Sequence, residues 1–189
     1  MADTRWMLFV DGENLTIRGQ ELAKDWTFEL KDSAHYLQDV FVWFPGSSGR
    51  DARHLIDGFP SNQTAIRAYY YTSLTGDSDK INSVRQKLRA LQFDPQVFKK
   101  PSGRLKSKGV DVTLTKDMLA HAYQDHYDMA VLFAGDGDYV PLIEEVKRRG
   151  KNVVVCFFEG QGLAEEVRLN ADYFFDLTKP FMDRWRKAT

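Results

Sequence analysis

The sequence predicts an α/β fold with a mostly parallel sheet and helices on both of its faces. Three observations carry that prediction. Short apolar runs alternate with stretches of helical periodicity, which is the pattern of βα units. The chain has 189 residues and is 43% apolar, enough for a proper core, with one domain over residues 1–189 as the expectation. Acidic residues directly follow two of the apolar runs, where an open parallel sheet places its ligands.

The elements follow in chain order. Trp6–Val10 reads as the first strand and Asp11 terminates it. Roughly residues 20–62 fit the alternation less well. SAHYLQDVFVWF suits a helix, or a helix followed by a strand, and PGSSGRDARHLIDGFPSN is a long polar connection. Arg50, Arg53 and His54 in that connection could approach a ligand, although a surface insertion is the plainer reading. Ala65–Thr72 is the next strand, and Asp79–Leu91 a helix with Ile81, Val84, Leu88 and Leu91 on one side. Gln96–Lys99 is a strand. Val110–Tyr123 is a helix marked by Val110, Leu114, Met118 and Ala122. Met129–Ala134 is a strand, Tyr139–Arg149 a helix that Gly150 stops, and Asn152–Phe158 a strand. Leu163–Asn170 is helical, Tyr173–Phe175 a short strand, and a helical tail over about residues 179–189 is expected to dock through Phe181 and Trp185.

Composition excludes several classes of function. The single cysteine, Cys156, rules out an internal disulfide and a cysteine metal cluster, and VVVCFF places it in a buried strand. The run Trp6–Val10 is too short for a signal segment or a membrane span, so no membrane role is expected and the cytoplasm is the expected compartment. Charge is distributed unevenly. Residues 61–110 hold 10 basic and 3 acidic residues, against 6 and 10 before them and 10 and 14 after. The densest part is KKPSGRLKSKG, with Lys99, Lys100, Arg104, Lys106 and Lys108 and no acid. Taken alone such a run is a solvated loop; beside an acidic site it suits a phosphate backbone.

The acidic site rests on VLFAGDGDYVPL, residues 131–142, where a strand gives way to Gly135, Asp136 and Asp138. With Asp11 after the first strand and Asp111 in KGVDV at a helix start, four acids are expected to converge. Singly, each could cap a helix. Together they repel: two unit charges about 4 Å apart cost roughly 4 kcal/mol at an effective dielectric of about 20. An all-oxygen cluster suits Mg²⁺ or Mn²⁺ rather than zinc. An EF-hand is excluded because Val140 and Pro141 stand where its loop needs an acid and a glycine, and no glycine-rich nucleotide motif occurs. The aromatic run Tyr69–Tyr71 could stack bases, but alternation along a strand makes core packing the better expectation.

LFVDGENL at residues 8–15, KGVDVTLTKDML at 108–119 and LFAGDGDYVPLIEEVKRRGKNVVV at 132–155 resemble, in order and spacing, the signature blocks of NYN domains. These are a branch of the PIN-like nucleases that includes LabA-like proteins. The resemblance implies a PIN-like three-layer α/β/α sandwich and a metal-dependent ribonuclease. Its acidic metal site would be Asp11, Asp111, Asp136 and Asp138, with Asn14 as the associated polar residue near metal or phosphate. Asp117, at about 120° from Asp111 around a helix axis, would support the site or the packing. Asp11 and Asp136 would ligate Mg²⁺ or Mn²⁺ directly, and Asp111 and Asp138 would ligate through water or orient the attacking water. Arg104, Lys106 and Lys108 would hold RNA, single-stranded by expectation. Ala134 departs from the serine that many relatives carry, which implies weaker activity. Two rivals remain. A haloacid-dehalogenase phosphatase needs D-x-D, and Glu13 breaks that motif; a catalytically quiet RNA- or protein-binding regulator would keep the scaffold. The oligomeric state stays open, with a homodimer among the alternatives.

Overall fold

The computed structural model describes residues 4–27, 29, 35–43, 64–100 and 108–186, the side chains of Lys108, Arg184 and Trp185 excepted. Its elements are β1 (Trp6–Asp11), α1 (Gly12–Asp25), β2 (His35–Leu37), β3 (Phe41–Trp43), β4 (Arg67–Leu74), α2 (Ser78–Ala90), β5 (Asp94–Lys99), α3 (Lys108–Tyr123) and β6 (Met129–Phe133). A 3₁₀ turn (Gly137–Tyr139) follows, then α4 (Val140–Arg148), β7 (Asn152–Phe157), α5 (Glu165–Asn170), β8 (Tyr173–Asp176) and α6 (Thr178–Trp185).

Six strands form one sheet in the order β5-β4-β1-β6-β7-β8, and all of its pairs are parallel. Such strands are covered on both faces, so they read as continuous apolar runs; every residue of β1 is buried. Side chains still alternate along each strand. Trp6, Leu8 and Val10 pack with α1, α2, α6 and the β2–β3 hairpin, through Leu15, Leu22, Val84, Leu88 and Phe181. Met7 and Phe9 pack on the opposite face with α3, α4 and α5, through Leu114, Met118, Ile143, Val146 and Val167. This is the expected three-layer α/β/α sandwich. Asp11 falls two residues beyond Phe9, so the pleat turns its side chain to the α3 and α4 face.

The chain winds outward from β1 to β4 and β5, then crosses back and continues on the other side with β6, β7 and β8. The strand order reverses between β1 and β6, which opens a crevice beyond their carboxyl ends. Asp11 ends one of these strands and Gly135–Asp138 follow the other.

The structure settles the open reading of residues 20–62 in two places. Helix α1 starts directly after β1 and runs to Asp25, because Asp11 caps it and Leu15 and Leu22 face the core. The described residues of SAHYLQDVFVWF, 35–43, hold no helix; β2 and β3 are an antiparallel hairpin, with Tyr36 opposite Val42. The Tyr70 hydroxyl binds this hairpin to the sheet, donating to Val42 O at 2.9 Å and accepting from Val42 N at 3.1 Å. Arg50, Arg53 and His54 lie outside the described residues. At the other end, α6 begins ahead of Pro180, and Phe181 is fully buried as expected, while the Trp185 side chain lies outside the described residues. Tyr70 and Tyr71 are core, and Tyr69 is half-buried. No helix among the described residues is long and apolar enough to cross a membrane.

The direct passage from β1 into α1 needs glycine at position 12. A Cβ there would run into the Tyr70 ring and stand 2.6 Å from Tyr71 O, backbone that cannot swing away. Gly12→Ala is expected to destabilise the fold by about 1–3 kcal/mol, as overpacking does. Urea denaturation would read this as a lower midpoint at unchanged slope.

Candidate active site

Asp11 is 3% exposed at the end of the central strand. Its Oδ1 accepts the Asn14 backbone N–H at 2.9 Å, capping α1. Asn14 then reaches across the crevice, where its side-chain Oδ1 accepts the Gly135 N–H at 3.0 Å. One asparagine therefore ties the start of α1 to the loop after β6. Gly135 is required at that point, since a Cβ would press on the Phe157 ring and lie 2.9 Å from Gly162 O.

The other oxygen of Asp11 meets a residue that sequence reasoning missed. The Tyr139 hydroxyl lies 2.9 Å from Asp11 Oδ2 and 3.2 Å from Asp111 Oδ1, bridging the two carboxylates. Tyr139 itself is 2% exposed. Its phenol is pushed far above the ordinary range, first by burial and then by the charges of Asp11 and Asp111, so it keeps its proton. One hydroxyl proton serves one acceptor at a time, so two ionised carboxylates are never both satisfied by it. Burial, helped by the neighbouring charges of Asp111 and Glu13, lifts Asp11 to about 7; the bonds from Asn14 and Tyr139 oppose the shift.

Asp111 sits half-buried in the first turn of α3, where Val110 and Leu114 anchor the helix in the core. Asp136 is half-buried and Asp138 exposed. Here too the structure refines the expectation. Asp136, not Asp138, is the cap, accepting the Asp138 N–H at 3.2 Å to start the 3₁₀ turn, and α4 has no side-chain cap. All four acids stand on elements that border the crevice. They do not close into a cage: among the described residues no group of three or more His, Cys, Asp or Glu is placed to hold a metal ion. The donor set nevertheless fits Mg²⁺ or Mn²⁺. Magnesium is commonly held by one or two carboxylates, with water and substrate phosphate completing its shell.

Of the other expected residues, Asp117 packs α3 on the sheet: it accepts from the Tyr71 hydroxyl at 3.1 Å and pairs with Lys116 Nζ at 3.1 Å. Arg104 and Lys106 lie outside the described residues, as does the Lys108 side chain. A second missed group adjoins the site. Glu13, 8% exposed, accepts from the Ser73 hydroxyl and has Lys100 Nζ at 3.6 Å. Its only sequence signal is an acid in the first turn of α1. Cys156 is buried on β7 and burial pushes its thiol up, which removes it as a nucleophile.

Comparison with known proteins agrees with this fold. The chain is 25% identical over 184 residues to "Low amplitude and bright protein LabA" of Synechococcus elongatus, covering 92% of this chain and 84% of that protein. Its fold matches the crystal structure of VPA0982 from Vibrio parahaemolyticus, a protein of unknown function, with a TM-score of 0.61 at 18% identity, over 94% of this chain and 96% of that one. The NYN domain family model matches residues 5–178. The chain belongs to the NYN domain family. It is a LabA-like member, and NYN domains are nuclease-like; every acid of the crevice lies inside the matched span.

The raised Asp11 has a thermodynamic signature in this NYN domain. A carboxyl whose folded value exceeds its unfolded value binds more protons when folded, so it stabilises below about pH 4 and that stability is lost as pH rises toward 7. Asp11→Asn removes the titration. In chelator, the variant is expected to gain on the native chain by about 2–4 kcal/mol between pH 4 and pH 8. Urea denaturation across that range checks it, and parallel curves for the two proteins would refute it.

Proposed function

We propose that this NYN domain is a metal-dependent ribonuclease that hydrolyses phosphodiester bonds of single-stranded RNA with Mg²⁺ or Mn²⁺. The observation that supports this best is the buried Asp11, held between Asn14 and Tyr139 at the switch point of the sheet, with Asp111 on the same hydroxyl. Burying one carboxylate beside a second costs stability, which supports a role for the pair in chemistry.

In this reading Asp11 and Asp136 are the direct ligands of the cation, and Asp111 and Asp138 act through water or orient the attacking water. The cation supplies charge neutralisation on the nonbridging oxygens and a more acidic water. Asn14 fixes the Gly135 backbone against α1, which sets the spacing of Asp11 and Asp136. Tyr139 holds a proton between Asp11 and Asp111. Arg104, Lys106 and Lys108 contribute to holding the RNA backbone. A catalytically quiet RNA- or protein-binding module is the second reading. It is favoured by the Tyr139 hydroxyl standing between Asp11 and Asp111, and by the open arrangement of the acids.

Incubation of labelled single-stranded RNA with the protein in Mn²⁺, in Mg²⁺ and in chelator separates the two. Cleavage is expected with either metal and not in chelator. Asp136→Asn is expected to lower the rate by about 100-fold or more, the scale of losing a group that stabilises developing charge. Cleavage indifferent to metal and to Asp136→Asn, or no cleavage at all, would give the regulatory reading the better claim.

A further inference from the structure

A groove of about 410 Å³ opens beside the acidic crevice, lined in part by Glu13, Asp39, Ser73, Thr75, Lys80 and Lys100. It lies at the carboxyl ends of β4 and β5, the strands on the far side of β1 from β6. Asp11 is in register with Tyr71, and Ser73 stands two residues further along β4. By strand spacing and rise that is about 8 Å, on the order of one nucleotide of an extended strand.

The two lysines of the groove are held differently. The Lys100 backbone is tied to Leu74 O at 2.8 Å and its ammonium is 3.6 Å from the buried Glu13, so this charge is largely spent on the fold. Lys80 is exposed, on the first turns of α2. Its stem lies over Gly76, where a Cβ would come within 2.8 Å of Lys80 Cδ, and its ammonium donates to Thr75 O at 3.3 Å. Among the described residues no carboxylate is within ion-pair distance of it. A cation that is pre-positioned over a turn, has a neutral carbonyl for partner and opens on a groove suits a phosphate.

The geometry points to this groove as a second backbone subsite for single-stranded RNA, in which Lys80 takes the phosphate of a nucleotide flanking the one at Asp11. The inference rests on the ribonuclease reading for its ligand. Lys100 lines the groove, and in the sequence it is followed by the basic stretch Arg104 to Lys108. Asp39 lines the same groove as an exposed carboxylate and works against an anion there.

The test is fluorescence anisotropy of a labelled single-stranded RNA of about twelve nucleotides, titrated with the full chain in chelator so that nothing is cut, at several salt concentrations. Losing one phosphate contact is expected to reduce the slope of log affinity against log salt by about 0.7, which is roughly a 5-fold loss of affinity at about 0.1 M salt. Lys80→Ala should show both effects, and Lys80→Arg should restore them. Asp39→Asn should tighten binding, and Lys87→Ala, an exposed lysine on α2 outside the groove, should leave it unchanged. Binding by Lys80→Ala that equals the native chain, or falls no further than Lys87→Ala, would overturn the groove alone and leave the nuclease reading standing. A native chain that binds no RNA would overturn both. Circular dichroism of each variant keeps a folding defect from passing as a binding loss.

Discussion

The structure depends on one buried carboxylate at the end of its central strand. Asp11 ends β1, caps α1 through Asn14 N–H, and takes the Tyr139 hydroxyl from the opposite layer. The same asparagine holds Gly135 N–H. Strand β1, helix α1, the loop after β6 and the start of α4 therefore meet at the hydrogen bonds of two side chains, Asp11 and Asn14. The charge is expensive. A carboxylate lifted to about 7 spends near-neutral pH divided between two protonation states, and each hydrogen bond around it offsets only part of the burial. An apolar residue would stabilise the sheet more, but would end α1 uncapped and leave the crevice without its central acid.

Much of the sheet was legible because its strands are covered on both faces. Continuous apolar runs such as Asn152–Phe157 need no alternation to be recognised, and helix α3 shows its buried stripe plainly at Val110, Leu114 and Met118. Helix α1 was hidden for a physical reason. It buries Gly12, Glu13, Asn14, Thr16 and Gly19 beside Leu15 and Leu22, so most of the residues it turns to the core are glycine or polar and do not read as an apolar stripe. The hairpin was ambiguous because each of its strands has three residues, too few for a pattern of either kind.

The acids of the site were legible as chemistry, while their arrangement was not. Asp11, Asp136 and Asp138 stand out because they follow apolar strand runs, and Asp111 because it opens a helix just after the basic run. Tyr139 escaped because an aromatic at a helix start reads as core, and its ring is indeed buried; only the fold shows its hydroxyl reaching two acids from different elements. Glu13 and Lys100 are 87 positions apart in the chain. No periodicity links them, and they meet because β5 returns beside β4, whose Ser73 touches Glu13. A histidine pair was missed in the same way: His121 and His126 face each other at 2.9 Å across a turn in which Asp125 takes a φ of 56°. Their spacing of five has no helical meaning.

Tyr139 also bears on how an acidic centre of this kind would answer to its surroundings. Its hydroxyl has one proton and two carboxylate neighbours, and its own proton is held too firmly to leave. Burial, helped by the neighbouring charges of Asp111 and Glu13, lifts Asp11 to about 7, so near neutral pH its protonated and ionised forms are both present. Under the proposed function a divalent cation would take the ionised form of Asp11, so proton and cation compete for that carboxylate and cation affinity rises with pH through the range in which Asp11 ionises.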